Sequence, residues 1–176
     1  ASFTKPCAVV VKHANPCGVA VSDQSISEAF IHARDCDPLS AFGGIVALTR
    51  PVDEKTAKAI GDTFFEVIAA PKFEQSALDI LNGKKNLRLI EIPDLRQQAA
   101  VSINHVRKVG GGMLVQDADN VIENLSQCRV VTKRHPNKEE SEALDFAWRV
   151  VKHVKSNAIV ISNDKHVAGI GCGQTS

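Results

Sequence analysis

Lys12 and His13 follow the apolar run Val9-Val10-Val11, and after them comes Ala14-Asn15-Pro16-Cys17-Gly18. An ammonium group can hold an anion or polarise a carbonyl, and an imidazole titrates near neutrality and can carry a proton. A buried strand ending on this pair puts both groups where layered α/β folds gather ligands. Asn-Pro favours a turn, and Gly18 tolerates positive φ. A solvated strand end would have the same residues, with both side chains merely facing water, so the pair alone does not decide a function. Cys17 raises the idea of a Cys–His pair with His13. With no third orienting residue to be found, a small buried cysteine is the better expectation.

Two further segments could carry chemistry. In Asp37-Pro38-Leu39-Ser40-Ala41-Phe42-Gly43-Gly44 the proline fixes a turn, the glycines permit close backbone approach to a ligand, and Phe42 could stack on a flat ring. On these residues alone, a β-turn with a core phenylalanine is the preferred reading. Ser156-Asn157 opens a strand, and Gly169-Ile170-Gly171-Cys172-Gly173-Gln174 could cradle a phosphate if a helix followed. It is not a dinucleotide fingerprint, because Gln174 stands where the third glycine belongs. The histidines at 13, 32, 105, 135, 153 and 166 never fall at ligand spacing with one another or with cysteine. No metal is therefore expected. The deaminase zinc pattern, H-x-E with P-C-x-x-C, is absent: Pro16-Cys17 runs into Gly18-Val19-Ala20. Lys133-Arg134-His135 reads as a solvated turn and Lys84-Lys85 as a helix end.

Alternating strand and helix patterns position these segments. Strands are predicted over 7–11, 44–48, 67–70, 87–92, 129–132, 157–162 and 166–170. Residues 106–115 are read as two strands broken at Gly110-Gly111-Gly112. Helices are predicted over 27–35, with Ala29, Phe30 and Ala33 on one side, over 54–60 capped by Asp53, and over 74–81 stopped by Asn82-Gly83. The clearest helix is 138–152, where Leu144, Ala147, Val151 and Val154 recur at spacings of three and four and acidic residues lead. Such alternation argues for a layered α/β fold.

The bulk composition narrows the function classes. Lys and Arg total 21 against 20 Asp and Glu, a formal net charge of +1, which gives no electrostatic case for nucleic acid or a membrane surface. No apolar run approaches the roughly 20 residues of a membrane span, and no signal peptide is visible. Five cysteines without a CxxC pair indicate neither a disulfide framework nor a zinc knuckle, so a reducing cytoplasm is expected.

Taken together, Lys12-His13-Ala14-Asn15-Pro16-Cys17-Gly18, the 37–44 segment, Val67-Ile68-Ala69-Ala70-Pro71, and Ser156-Asn157 through Gly169-Ile170-Gly171-Cys172-Gly173-Gln174 resemble, in the same order, the bacterial PurH family pattern. The resemblance is to its aminoimidazole carboxamide ribonucleotide (AICAR) transformylase region and covers essentially the whole chain. It implies a cytidine-deaminase-like α/β sandwich without zinc, residues 1–176 forming a partial transformylase domain, the first of two tandem repeats. It implies formyl transfer from 10-formyltetrahydrofolate to AICAR in IMP biosynthesis, within a longer bifunctional protein that also closes the ring as a cyclohydrolase. Lys12 and His13 would be the catalytic pair, Asn157 would orient the substrate carboxamide, and Phe42 with Gly43 would line the folate side. A homodimer is implied for the full-length protein.

The family's upstream Arg-Tyr-Gly-x-Asn-Pro-His-Gln run and its second repeat are not in this sequence, so this chain alone is expected to be inactive. The alternative is a non-catalytic nucleotide-binding or interaction module of the same fold.

Overall fold

The computed structural model describes residues 3–93 and 104–173. Its centre is a five-stranded sheet in the order β2-β1-β3-β4-β5, built from β1 (Cys7–Lys12), β2 (Asn15–Val21), β3 (Gly44–Leu48), β4 (Phe65–Ala70) and β5 (Arg88–Glu91). β1 runs antiparallel to both β2 and β3, whereas β3, β4 and β5 are mutually parallel. Parallel neighbours need a crossover, and helices α3 (Glu54–Gly61) and α4 (Gln75–Leu81) supply the two. The chain is thus an α/β protein with a mixed sheet.

One face of the sheet carries Ala8, Val10, Val46, Leu48, Ile68 and Ala70, none of them reached by solvent. Ala29, Phe30 and Ala33 of α1 (Ile26–Asp35), with Ala57 and Ile60 of α3 and Ala77 and Leu81 of α4, close this core. α1 and α3 start as the sequence says they should. Ser25 accepts from the Glu28 amide, and Asp53 accepts from the Thr56 amide at 2.8 Å, each satisfying a donor that the first turn leaves unpaired.

The other face is covered at one end. There Cys7, Val19 and Val21 pack against Phe146 and Val150 of α5 (Lys138–Val151) and against Val167 of β9 (Val167–Gly171). β9 pairs with β8 (Ile159–Ser162), and an antiparallel bridge from Ala20 to His166 joins this unit to β2. β6 (His105–Val109) and β7 (Gly112–Gln116) form a separate hairpin around Gly110-Gly111.

Several expectations are corrected. β2 was missed because Asn15-Pro16 reads as a turn. β2 lies at a sheet edge, and the register shifts between Val10 and Val11, opposite Pro16, so the missing N–H is tolerated. Residues 129–132 form no strand. Pro38 opens a short helix, α2 (Pro38–Ala41), rather than a β-turn. Gly169 to Gly171 lie in β9, so they form no phosphate loop, and Gln174 lies outside the described residues. On α5 the stripe that reaches the core is Phe146, Val150 and, just past its end, Val154. Leu144 is half exposed and lines an open cleft with Ala147 and Val131.

Candidate functional site

The catalytic-type residues meet where β1 ends. Lys12 is its last residue, paired across to Asn15 of β2, so His13 and Ala14 form a two-residue hairpin turn. Both have positive φ, 49° and 65°, as a turn matched to the strand twist requires. Ordinary side chains resist this conformation, histidine less than most. The sheet thus holds the imidazole at an exposed tip, and no hydrogen bond to His13 is made among the described residues.

Lys12 points toward the α2–β3 connection. Its Nζ donates to the Phe42 carbonyl at 2.8 Å and to the Gly43 carbonyl at 3.1 Å. An ammonium has three N–H donors, so two are fixed on backbone and one is left for a ligand. Gly43 is a required glycine: its φ is +65°, and a Cβ there would stand 3.2 Å from Lys12 Nζ. Its amide donates to Phe64 O at 2.8 Å, and the Phe42 and Phe64 rings meet at 5.5 Å between centroids. Phe42 is 61% exposed, so it is no core residue and offers an aromatic face to solvent. Phe64 is a neighbour of Phe42 and Gly43 that the sequence does not single out, its one signal being a second phenylalanine beside a strand start.

Asp37 caps α2. Its Oδ1 accepts from the Ser40 amide at 3.0 Å, and the Ser40 contacts hold the carboxyl below its usual range.

On the other side of the hairpin, Asn15 Oδ1 accepts from the Lys155 amide at 3.0 Å, and Gly173 N donates to Lys155 O at 3.1 Å. A Cβ on Gly173 would fall 1.7 Å from Ser156 O, so the last glycine lies flat against the segment that carries Asn157. Asn157 is exposed, two residues before β8 begins. The structure therefore links the first motif to the second through Lys12, and to the third through Asn15.

Cys17 does not pair with His13. Its thiol donates to Val10 O at 3.5 Å, and burial, with Asp37 adding, pushes its pKa up to about 11. A thiol that stays protonated at neutral pH is not a nucleophile. Gly18 is needed for packing rather than for positive φ, since a Cβ there would lie 1.8 Å from Ala33 O of α1. Among the described residues no group of three or more His, Cys, Asp or Glu is placed to hold a metal ion. None of their helices is long and apolar enough to cross a membrane.

Comparison with known proteins gives a consistent answer. A family model described as "AICARFT/IMPCHase bienzyme" matches residues 1–176. A bifunctional purine biosynthesis protein PurH from Magnetococcus marinus is 51% identical over 174 residues, covering 99% of this chain and 33% of that protein. The PurH of Enterococcus faecalis is 49% identical over 172 residues, 98% of this chain and 33% of that protein. That of Anoxybacillus flavithermus is 49% identical over 178 residues, 99% and 34%. The chain thus spans about a third of the length of the curated relatives it matches.

Proposed function

This chain belongs to the AICARFT/IMPCHase bienzyme family, and on that premise we propose that it carries the reacting pair for formyl transfer in purine biosynthesis. The donor is 10-formyltetrahydrofolate and the acceptor is the 5-amino group of AICAR. The amine forms a bond to the formyl carbon, the bond from that carbon to folate N10 breaks, and the products are formyl-AICAR and tetrahydrofolate. His13 accepts the proton the amine gives up and returns it to N10. Lys12 donates its third N–H to the formyl oxygen as charge builds there. Phe42 and Gly43 line the folate side, and Asn157 orients the carboxamide of AICAR. Residues 1–176 form the first of two cytidine-deaminase-like repeats, in a full-length protein that works as a homodimer.

The observation that carries this reading is the double anchor of Lys12 on Phe42 O and Gly43 O. It fixes a cation beside an exposed aromatic ring and one residue from a histidine. Proton transfer and charge stabilisation supply what the step needs, with no metal assigned a role.

His13→Asn in the full-length protein is the direct test. Asparagine tolerates the turn's positive φ but cannot serve as the base, so transfer should fall by about 10²–10⁴-fold while cyclohydrolase activity is kept. The wild-type rate should survive dialysis against a chelator. Near wild-type transfer by His13→Asn would refute the role. A non-catalytic module would show no transfer in either protein.

A further inference from the structure

Asn157 stands on the α5–β8 connection, residues 152–158, and His13 on the β1–β2 turn. The two parts of the chain that carry them meet along a seam. At one end of it Val21 N donates to Lys165 O at 2.7 Å, and Ala20 bridges to His166. At the other end is Asn15, five residues before Ala20 on β2, which is roughly 17 Å at about 3.3 Å per residue. Its Oδ1 accepts from the Lys155 amide at 3.0 Å, and no other hydrogen bond among the described residues joins the turn to this connection. The turn does not explain the asparagine, since positive φ falls on His13 and Ala14 and not on Asn15.

Between buried Val154 and the start of β8 the chain runs through solvent: Lys155, Ser156 and Asn157 are all exposed and belong to neither buried cluster. Exposed connections wander unless their backbone is tied. Lys155 is tied on both sides, its N–H to Asn15 and its C=O to Gly173 N at 3.1 Å. Gly173 follows β9 and so belongs to the same unit as Asn157. Its bond shapes the connection without fixing it to the turn, which leaves that to Asn15. Pairing with Lys12 fixes Asn15 in its place.

We propose that Asn15 is a positioning residue for the transfer step: its side-chain carbonyl sets the distance between the His13 turn and Asn157 by gripping the Lys155 amide. The proposal rests on the formyl-transfer reading, in which Asn157 orients the carboxamide of AICAR. Asn15 itself need not touch the substrate. Lys155 is exposed, so water can take over its N–H when Asn15 is truncated, and the fold loses little. What goes is registration. A carboxamide held about 1 Å out of place presents its amine badly to the formyl carbon, and such errors can cost roughly 10²-fold. The loss falls on turnover more than on affinity.

The experiment uses the full-length protein and compares Asn15→Ala, Asn15→Asp, Asn157→Ala and the double variant Asn15→Ala/Asn157→Ala. It reads kcat, KM for both substrates and the thermal midpoint. Asn15→Ala should lower kcat by about 10–10²-fold, raise KM for AICAR by a smaller factor, and leave the midpoint and KM for 10-formyltetrahydrofolate near wild type. Asn15→Asp keeps the acceptor and should restore most of kcat. It is compared on the plateau of its own pH profile, because a new carboxylate stands beside His13. Asn15 acts through Asn157, so the two single losses should not multiply in the double variant. Losses that do multiply would overturn the proposal. So would an Asn15→Asp no faster than Asn15→Ala, which would give the Asn15 N–H groups a direct contact with a ligand. A lowered midpoint with both KM values raised together would make Asn15 structural only and also overturn it. If His13→Asn loses transfer while Asn15→Ala keeps the wild-type kcat, the proposal fails and the formyl-transfer reading stands. If the wild type transfers no formyl group, both fall together.

Discussion

Lys12 owes its placement to Gly43, so the cation can be disturbed without touching it. A methyl group at position 43 would stand 3.2 Å from Nζ, on a backbone with φ of +65° that alanine resists. In the full-length protein we expect Gly43→Ala to displace the ammonium and cut formyl transfer at least as strongly as it raises KM for folate. Placement errors of about 1 Å can cost roughly 10²-fold. A variant with unchanged kcat would mean that the anchored lysine is not needed in the reaction. The same residue shows how much of the site was legible in the sequence. Lys12, His13, Phe42 and Gly43 could be singled out because their types carry chemistry and their neighbours break regular structure. The anchoring could not, because it joins side chain to backbone across 30 and 31 residues. Asn15 looked like a turn former, yet its side chain ties the hairpin to Lys155, 140 residues on. Local sequence carries no trace of such a bond.

Among the elements, α1 and β2 are held closer than any side chain would allow. Gly18→Ala would put a Cβ 1.8 Å from Ala33 O, which is backbone and cannot rotate away. Overpacking of this kind costs about 1–3 kcal/mol, and with backbone as the obstacle we expect the upper part of that range. Thermal unfolding of Gly18→Ala reads it, and an unchanged midpoint would show that α1 shifts freely. α5 offers an independent check. Its Asn137–Glu140 capping box is completed by Arg134, whose two terminal nitrogens each reach Glu140 at 2.8 Å. The Arg134 contact first, and the Asn137 amide second, hold the Glu140 pKa down at about 2. A carboxyl depressed on folding stabilises above its unfolded value and loses that contribution as pH falls through the folded value. The first turn of α5 should therefore loosen between about pH 4.5 and about pH 2, from the ordinary glutamate value to the depressed one. The protection of the Glu140 and Ser141 amides, their exchange rate relative to the intrinsic rate at each pH, should fall across that range in the wild type and stay level in Glu140→Gln. The helix and its acidic first turn were readable from the sequence. Its buried stripe was misread because Leu144, Ala147 and Val151 lie beside Phe146 and Val150 on one broad apolar face. Only the partner, Val19, Val21 and Val167, decides which stripe is covered.

At the scale of the whole molecule, the described residues cover the second face of the sheet over β1 and β2 but not over the rest. The register aligns Val11, Ile45 and Val67 in one row, and Ala47, Ala69 and Ile90 in the next. None of these six belongs to either buried cluster, and Ile45 and Ile90 are 44% and 46% exposed. Contiguous apolar surface of this kind marks an interaction face rather than a finished exterior. The proposed site is equally one-sided. On the formyl-transfer reading Lys12, His13, Phe42 and Gly43 would offer a wall for the formyl group and a flat ring, but a bimolecular transfer also needs the nucleotide held against them in near-attack geometry. The relatives are about three times as long as this chain. We therefore expect the 176-residue chain by itself to show no measurable formyl transfer. Mixing it with AICAR and 10-formyltetrahydrofolate and following tetrahydrofolate production is the measurement, with His13→Asn as background and intact mass confirming the chain. Turnover above that background would show that one wall suffices, and that the uncovered sheet face plays no part in assembling the site.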